Sequence, residues 1–161
     1  MSRINEQRIS SEHSAEDIWR VINTPLDRTT GQLVNPYVVI EYGDLESEDT
    51  LQRGALVTYI PNLSELEPVP GMIAGMLPKD VALRVQEYDQ ENKTRVDVVE
   101  SDKHSGMIRH RVEEGLLIVE GELLLGGSRR MFEGPIASYA EQGLVAHNQR
   151  VLANLPTILG R

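Results

Sequence analysis

The order of the patterns along the chain constrains its fold more than any single residue does. A polar alternating segment and a short helical region come first, six β-like segments follow, and one long amphipathic helical segment comes last. Short turns between the later strands favour antiparallel pairing, with the long helix packed across one face of the sheet. The 161 residues fit a single domain spanning 1–161, of the α+β class.

The N-terminal part of the chain predicts one strand and two short helices. Weak alternation over Arg3–Ser11 predicts a first strand near an edge of the sheet. Ser14, followed three residues later by Asp17, has the spacing of a helix N-cap, and a helix is predicted over Ala15–Asn23. Leu26–Leu33 predicts a second short helix, weakened by its threonines and its glycine.

Six segments with alternating apolar residues predict the remaining strands of a seven-stranded curved antiparallel sheet. In the fourth of these segments, Val96 and Val98 alternate with Arg95 and Asp97, and the valines are assigned to the apolar face. The six predicted strands are Tyr37–Tyr42, Gly54–Ile60, Val81–Tyr88, Thr94–Glu100, Met107–Glu113 and Leu116–Leu125.

A long C-terminal helix is predicted from about Pro135 to Leu155, because apolar residues recur there at helical spacing. Such a helix is roughly 30 Å long and spans a small sheet. Gly143 in its middle costs about 1 kcal/mol relative to alanine, which a close approach to the sheet or to a ligand would explain. Pro61–Lys79 is apolar but interrupted by prolines and glycines, and is interpreted as a loop with a helical turn at Met72–Leu77 over an apolar opening.

Composition excludes several classes of function. The formal net charge of −9 disfavours nucleic acids and anionic membrane surfaces as partners. The absence of cysteine excludes disulfides and thiolate chemistry and suits a cytoplasmic location. The N-terminus lacks the apolar core of a signal peptide, and the most apolar stretch, Gly115–Leu125, is too short to span a bilayer. No integral membrane contact is therefore expected.

No motif in the sequence identifies a reaction. The four histidines form no i,i+4 pair and no His-x-x-Glu-His arrangement, so no metal site is expected. Gly126–Gly127 lacks the Lys and Ser/Thr of a phosphate-binding loop, and no Gly-x-Ser-x-Gly elbow is present. No cofactor is expected, and whether the protein is an enzyme stays open.

The order β-α-α-β-β-β-β-β-β-α resembles the helix-grip fold of the START-like (SRPBCC) superfamily, which includes birch-pollen-allergen-like proteins, polyketide cyclases and lipid-transfer proteins. Val69–Val85, Val119–Leu125 and the Gly126–Gly127 turn are most similar to one branch, a largely actinobacterial domain family of unknown function. The resemblance implies a cavity between the sheet and the C-terminal helix that takes sterols, lipids, polyketides or other apolar ligands. It implies no catalytic set, because one fold serves several functions.

His110 is the most informative candidate residue, because it alternates with Ile108 and Val112 on the predicted inner face. An imidazole there can orient a ligand or act as a general acid or base, and a hydrogen-bonded core histidine is the alternative. The remaining candidates offer aromatic hydroxyls, flexible thioethers or small apolar contacts, and ordinary core packing is the alternative for each. They are Tyr42, Tyr59, Met72, Met76, Val98, Val119, Tyr139 and Gly143. His147 lies either on the inner apolar stripe of the last helix or at the solvent-exposed edge of that stripe.

Three functions remain open at this point. The leading hypothesis is binding of an apolar small molecule for transport, storage or sensing. The second is a cyclase- or dehydratase-like enzyme that uses His110 and a cavity tyrosine. The third is a non-catalytic interaction module whose partner surface is the Pro/Gly-rich segment or an open sheet edge. The oligomeric state stays open, with a homodimer as one alternative.

Overall fold

The computed structural model describes residues 2–24, 38–43, 51, 53–61, 81–127, 133–153 and 156. This part of the chain contains seven strands and two helices. In chain order they are β1 (Ser2–Ser10), α1 (Ala15–Ile22), β2 (Val38–Gly43), β3 (Leu56–Pro61), β4 (Val81–Asp89), β5 (Thr94–Val99), β6 (Ser105–Glu113), β7 (Leu116–Leu124) and α2 (Glu133–Ala153).

All seven strands form one antiparallel sheet in the order β1-β7-β6-β5-β4-β3-β2. Strands β2 to β7 each pair with their neighbours in sequence, and β1 pairs with β7 at the far edge. The predicted α+β architecture and the edge position of the first strand are confirmed. The predicted bounds of the strands and of both described helices differ from the observed ones by at most two residues at either end. The predicted helix at Leu26–Leu33 and the segment Pro61–Lys79, apart from Pro61, lie outside the described residues.

Helix α1 begins where its sequence predicted. The side chain of Ser14 accepts a hydrogen bond of 3.2 Å from the backbone N–H of Asp17, which satisfies one of the free donors at the helix start. Ile18, Trp19 and Val21 are buried, so the helix lays its apolar stripe against the sheet.

One apolar cluster joins both helices to the sheet. We call the face of the sheet that bears these contacts the inner face. Leu117 and Val119 at its centre are fully buried, and each such side chain contributes about 1.5–3 kcal/mol relative to exposure. The buried members of the cluster are Ile4, Ile9, Ile18, Trp19, Val21, Leu83, Ile108, Val112, Leu117, Val119, Leu144, Val151 and Leu152.

Helix α2 is held directly against β1. At its start, the carboxylate of Glu133 accepts hydrogen bonds of 2.9 Å from the Ser2 hydroxyl and from the Leu125 backbone N–H. The bond from Leu125 is the main reason that the pKa of Glu133 is lowered. Two turns later, the side-chain amide of Gln7 donates a 2.9 Å bond to the carbonyl oxygen of Glu141. The helix therefore packs directly against the β1 edge.

The pairing of β6 with β7 requires a glycine at position 121. A Cβ added to Gly121 would overlap with the backbone carbonyl oxygen of Met107 and lie 3.4 Å from the Cα of Ile108. Because both neighbours belong to the backbone of a central strand, no side-chain rotation can relieve the overlap.

We expect Gly121→Ala to lower the free energy of unfolding by about 1–3 kcal/mol, the usual range for overpacking. Gly134→Ala is the matched control, because a Cβ at Gly134 meets nothing within 4 Å. In the helix this control is expected to be neutral or to gain up to about 1 kcal/mol. Urea unfolding monitored by circular dichroism measures both, and equal losses would contradict the close-approach argument.

Candidate functional site

A row of polar side chains crosses the inner face of the sheet through the apolar cluster. The strand register aligns Gln7 with Val119, Val119 with His110, His110 with Arg95, and Arg95 with Tyr88. Residues directly opposite each other in antiparallel strands share a face, so these five positions form one continuous line over β1, β7, β6, β5 and β4. We call it the polar row, since only Val119 interrupts it.

Two β-bulges bring the ends of the polar row onto the inner face. The register of β1 shifts between Ile4 and Gln7, and that of β4 shifts between Val85 and Glu87. Without the shifts, strict alternation would place Gln7 opposite to Ile4 and Tyr88 opposite to Val85. The bulges therefore decide which polar side chains enter the interior.

Arg95 is the best-connected member of the polar row. Its guanidinium binds both carboxylate oxygens of Asp97, at 3.0 and 3.1 Å. It also donates to the side-chain oxygen of Asn23 at 2.7 Å and to the carbonyl of Ile22 at 3.0 Å. A cation suits the C-terminal end of a helix, so Arg95 both pairs with Asp97 and fixes the end of α1 to β5.

Strand β5 corrects the predicted assignment of its faces. Arg95 is 3% exposed and Asp97 is 0% exposed, whereas Val98 is only partly buried. Val98 pairs with Met107 and Arg84 and so lies on the face opposite to His110. The predicted inward position of Val98 is therefore wrong. Burial of the charged pair is tolerated because each charge has its partner and further hydrogen bonds.

His110 lies on the inner face as predicted and is 4% exposed. Its Nδ1 is 3.9 Å from Oδ2 of Asp97, which is too far for a hydrogen bond. Among the residues that the structure describes, none completes a hydrogen bond with this nitrogen. The pKa of His110 is well below its usual value, first because of burial and then because of the nearby Arg95 and His147. The ring is therefore neutral at physiological pH.

Helix α2 packs against β1 and adds one titratable side chain near the polar row. Glu141 of this helix lies above Gln7. His147, further along the helix, is close enough to His110 to lower the pKa of that residue, and Arg95 is close enough to lower the pKa of His147. Burial, and then the charge of Arg95, lower the pKa of His147 to about 4.

Several buried polar atoms around the row have no hydrogen-bond partner among the described residues. Such an atom costs about 1–3 kcal/mol when it stays unsatisfied, and native interiors contain few of them. Both donors and acceptors are represented, so the interior can bind the polar groups of a guest molecule. The atoms are Gln7 Oε1, His110 Nδ1 and Asn148 Nδ2.

The structure describes the other predicted contact residues to different extents. Val119 lies in the polar row, and Gly143 is buried within α2. In the backbone pairing, Tyr42 is opposite Val57 and Tyr59 is opposite Val81. The side chains of these two tyrosines, that of Tyr139, and the whole of Met72 and Met76 lie outside the described residues.

Sequence reasoning missed four buried members of this site, namely Gln7, Arg95, Asp97 and Asn148. Asn148 follows Leu144 by four residues and precedes Val151 by three, so helical periodicity alone places it on the buried stripe. No alternation signal marks the other three, because their burial depends on the bulge in β1 and on the Arg95–Asp97 pair.

Two further findings concern the described residues only. Neither α1 nor α2 has the length and apolar character that a membrane-spanning helix needs. In the same part of the chain, no three acidic or histidine side chains are grouped so that they can hold a metal ion.

The sequence matches no protein-family model and no curated protein. Solved structures do match. Truncated norcoclaurine synthase from Thalictrum flavum is 13% identical with a TM-score of 0.63, over 96% of this chain and 92% of that one. Major latex-like protein 151 from Panax ginseng is 9% identical with a TM-score of 0.62, over 95% and 96%. Ara h 8.0201 is 10% identical with a TM-score of 0.56, over 99% of both chains.

At these identities the likeness establishes the fold and nothing finer. The chain has the helix-grip fold that these solved structures share, as its pattern order predicted. The predicted similarity to one actinobacterial branch stays a prediction.

The Arg95–Asp97 pair generates a stability prediction. Arg95→Ala leaves the carboxylate of Asp97 buried without its partner, so we expect a loss of about 3–5 kcal/mol. Arg109→Ala is the matched control, because its pair with Glu120 spans 3.6 Å on the outer face and both side chains are well exposed. The control is expected to cost less than about 1 kcal/mol. Urea unfolding of the two variants gives the comparison, and similar losses would contradict a buried role for Arg95.

The buried His110 and the partly buried His147 generate a pH prediction. Their folded-state pKa values lie below the unfolded value of about 6.5. Between the folded and the unfolded pKa, the unfolded chain therefore binds more protons than the folded protein does. Stability is therefore complete above about pH 6.5 and declines toward pH 4, by up to about 1.4 kcal/mol per pH unit for each histidine. Groups facing them are Arg95 and Asp97 on β5.

Melting temperatures of the wild type and of His147→Gln, measured from pH 7 down to pH 4, test this expectation. The variant is expected to show the shallower decline, because glutamine binds no proton in either state. A decline of equal slope in both proteins would contradict the burial of a neutral His147.

Proposed function

We propose that the protein binds a largely apolar small molecule in its interior, between the inner face of the sheet and α2, for transport, storage or sensing. The observation that carries this proposal is the unpartnered Nδ1 of His110, which lies on the inner face between the apolar Ile108 and Val112. A ligand hydroxyl or carbonyl would supply the missing partner, and the surrounding aliphatic side chains would supply the contact area.

The position of the ligand follows from where α2 touches the sheet. The helix bonds directly to Ser2 and Gln7 of β1, so a ligand would have little room above that edge and would reach only the amide oxygen of Gln7 there. A ligand would instead lie toward β3, β4 and β5, beside His110 and the inner-face residues Leu83 and Val57. Apolar area buried there would contribute about 25 cal/mol per Å².

The remaining predicted contacts extend this site as part of the proposal. Gly143, which has no side chain, would allow a ligand to approach α2 closely. The hydroxyls of the three tyrosines would add polar contacts, and the two methionines of the Pro/Gly-rich segment would cover an opening. These contacts are Tyr42, Tyr59, Tyr139, Met72 and Met76.

The structural relatives support a small ring compound as the kind of ligand. Norcoclaurine synthase from Thalictrum flavum, in complex with dopamine and hydroxybenzaldehyde, matches this chain with a TM-score of 0.59 at 12% identity, over 94% of this chain and 87% of that one. The same fold therefore accommodates small aromatic molecules that carry oxygen.

A cyclase- or dehydratase-like enzyme is the second candidate. The observation that favours it is the carboxylate of Asp97 at 3.9 Å from His110, since a neutral imidazole beside a carboxylate can accept a proton from a bound substrate. The interaction module, the homodimer and the cytoplasmic location remain predictions from the sequence.

Titration with the uncharged dye Nile red, followed by displacement with oxygenated aromatic and lipid ligands, tests the binding proposal. We expect His110→Gln to lower the affinity for an oxygenated ligand about fivefold, the effect of one hydrogen bond, and to leave the affinity for the dye unchanged. Val98→Ala is the matched control on the outer face and is expected to change neither affinity.

Three outcomes separate the candidates. Native mass spectrometry that finds no bound molecule, together with no dye uptake, would rule out the binding function. Equal effects of the His110 and Val98 substitutions would remove His110 from the site. Turnover of a ligand that His110→Gln abolishes without loss of binding would select the enzyme.

A further inference from the structure

The buried polar atoms of the interior share a property that bears on the chemistry of the ligand. The unpartnered ones belong to an amide oxygen of Gln7, an amide nitrogen of Asn148 and a ring nitrogen of His110. All three groups are electrically neutral. One donates, one accepts, and the imidazole nitrogen does either according to its tautomer.

The buried charges beside the polar row already neutralise each other. Arg95 is occupied by both oxygens of Asp97, by the side-chain oxygen of Asn23 and by the carbonyl of Ile22. Among the described residues, the other buried carboxylate is Glu133, which is bonded to Ser2 and Leu125 at the start of α2. The described interior therefore offers a ligand no uncompensated positive or negative charge.

A charged ligand group would be unfavourable in such a site. A carboxylate only accepts hydrogen bonds and an ammonium only donates them, so neither matches a mixed set of neutral donors and acceptors. Moving an ion from water into an interior without a counter-charge carries a large desolvation penalty. The net charge of −9 on the chain adds a long-range repulsion for anions.

We infer that the ligand is an uncharged molecule with a hydroxyl or carbonyl group on an apolar body, and that the site discriminates against carboxylates, fatty acids included. This inference rests on the proposed binding function and specifies its ligand class. A hydroxyl both donates and accepts, so one such group can contact His110 Nδ1 and a carboxylate oxygen of Asp97 across their 3.9 Å separation.

A matched series of ring compounds tests the inference on the unaltered protein. Naphthol, naphthoate, naphthylmethylammonium and methylnaphthalene have the same apolar body and differ in their polar group. At neutral pH, we expect naphthol to displace Nile red at a concentration at least about tenfold lower than either charged compound. Naphthol is also expected to bind several-fold more tightly than methylnaphthalene, because of the hydrogen bond.

A charge-altered variant gives an independent check. Asp97→Asn leaves the guanidinium of Arg95 without its carboxylate. In that variant, naphthoate is therefore expected to displace Nile red at a lower concentration, relative to naphthol, than it does in the wild type. Arg109→Gln on the outer face is the matched control and is expected to keep the wild-type order. If Asp97→Asn does not fold, the four-compound series on the wild type still decides the question.

The outcomes distinguish this inference from the binding function on which it rests. Naphthoate binding as tightly as naphthol, or more tightly, would overturn the inference and leave a ligand-binding protein in place. Methylnaphthalene binding as tightly as naphthol would overturn it too, since the polar atoms would then play no part. No displacement by any compound, with no uptake of Nile red, would remove the binding function itself.

Discussion

The bidentate contact between Arg95 and Asp97 is the interaction on which the interior arrangement depends. It neutralises two charges within β5, and the same guanidinium also donates to Asn23 and to the carbonyl of Ile22 at the end of α1. The helix is thereby fixed at one end by its Ser14 cap and at the other by the sheet. Because the pair is buried, removal of one partner would leave the other charge unpaired in an apolar environment.

The surroundings of His110 follow from the same contact. Asp97 directs one oxygen toward the imidazole at 3.9 Å, while burial and then the positive charge of Arg95 disfavour protonation of His110 and His147. The ring thus stays neutral and keeps one nitrogen available in an apolar interior. A buried neutral acceptor or donor suits orientation of a ligand, whereas an imidazolium would call for an anionic one.

Much of the fold could be predicted from the sequence because local patterns dominate it. Alternation in β6 and β7, the cap at Ser14 and the periodicity of α2 each depend on residues close in the chain, and their element bounds were predicted to within two residues. The candidate site was predicted less completely. His110 was placed on the correct face by alternation with Ile108 and Val112, while Val98 was placed on the wrong one because valine is the usual choice for an interior position.

The sequence by itself determined the element order, the antiparallel sheet with β1 at its edge, the covering helix and the inward position of His110. Only the tertiary structure decided that Arg95 and Asp97 are buried, that bulges turn Gln7 and Tyr88 inward, and that His147 of α2 lies near His110 and Arg95. The reason is physical. A strand alternates by local geometry, but a bulge or a buried ion pair is stable only when distant elements supply the compensating contacts.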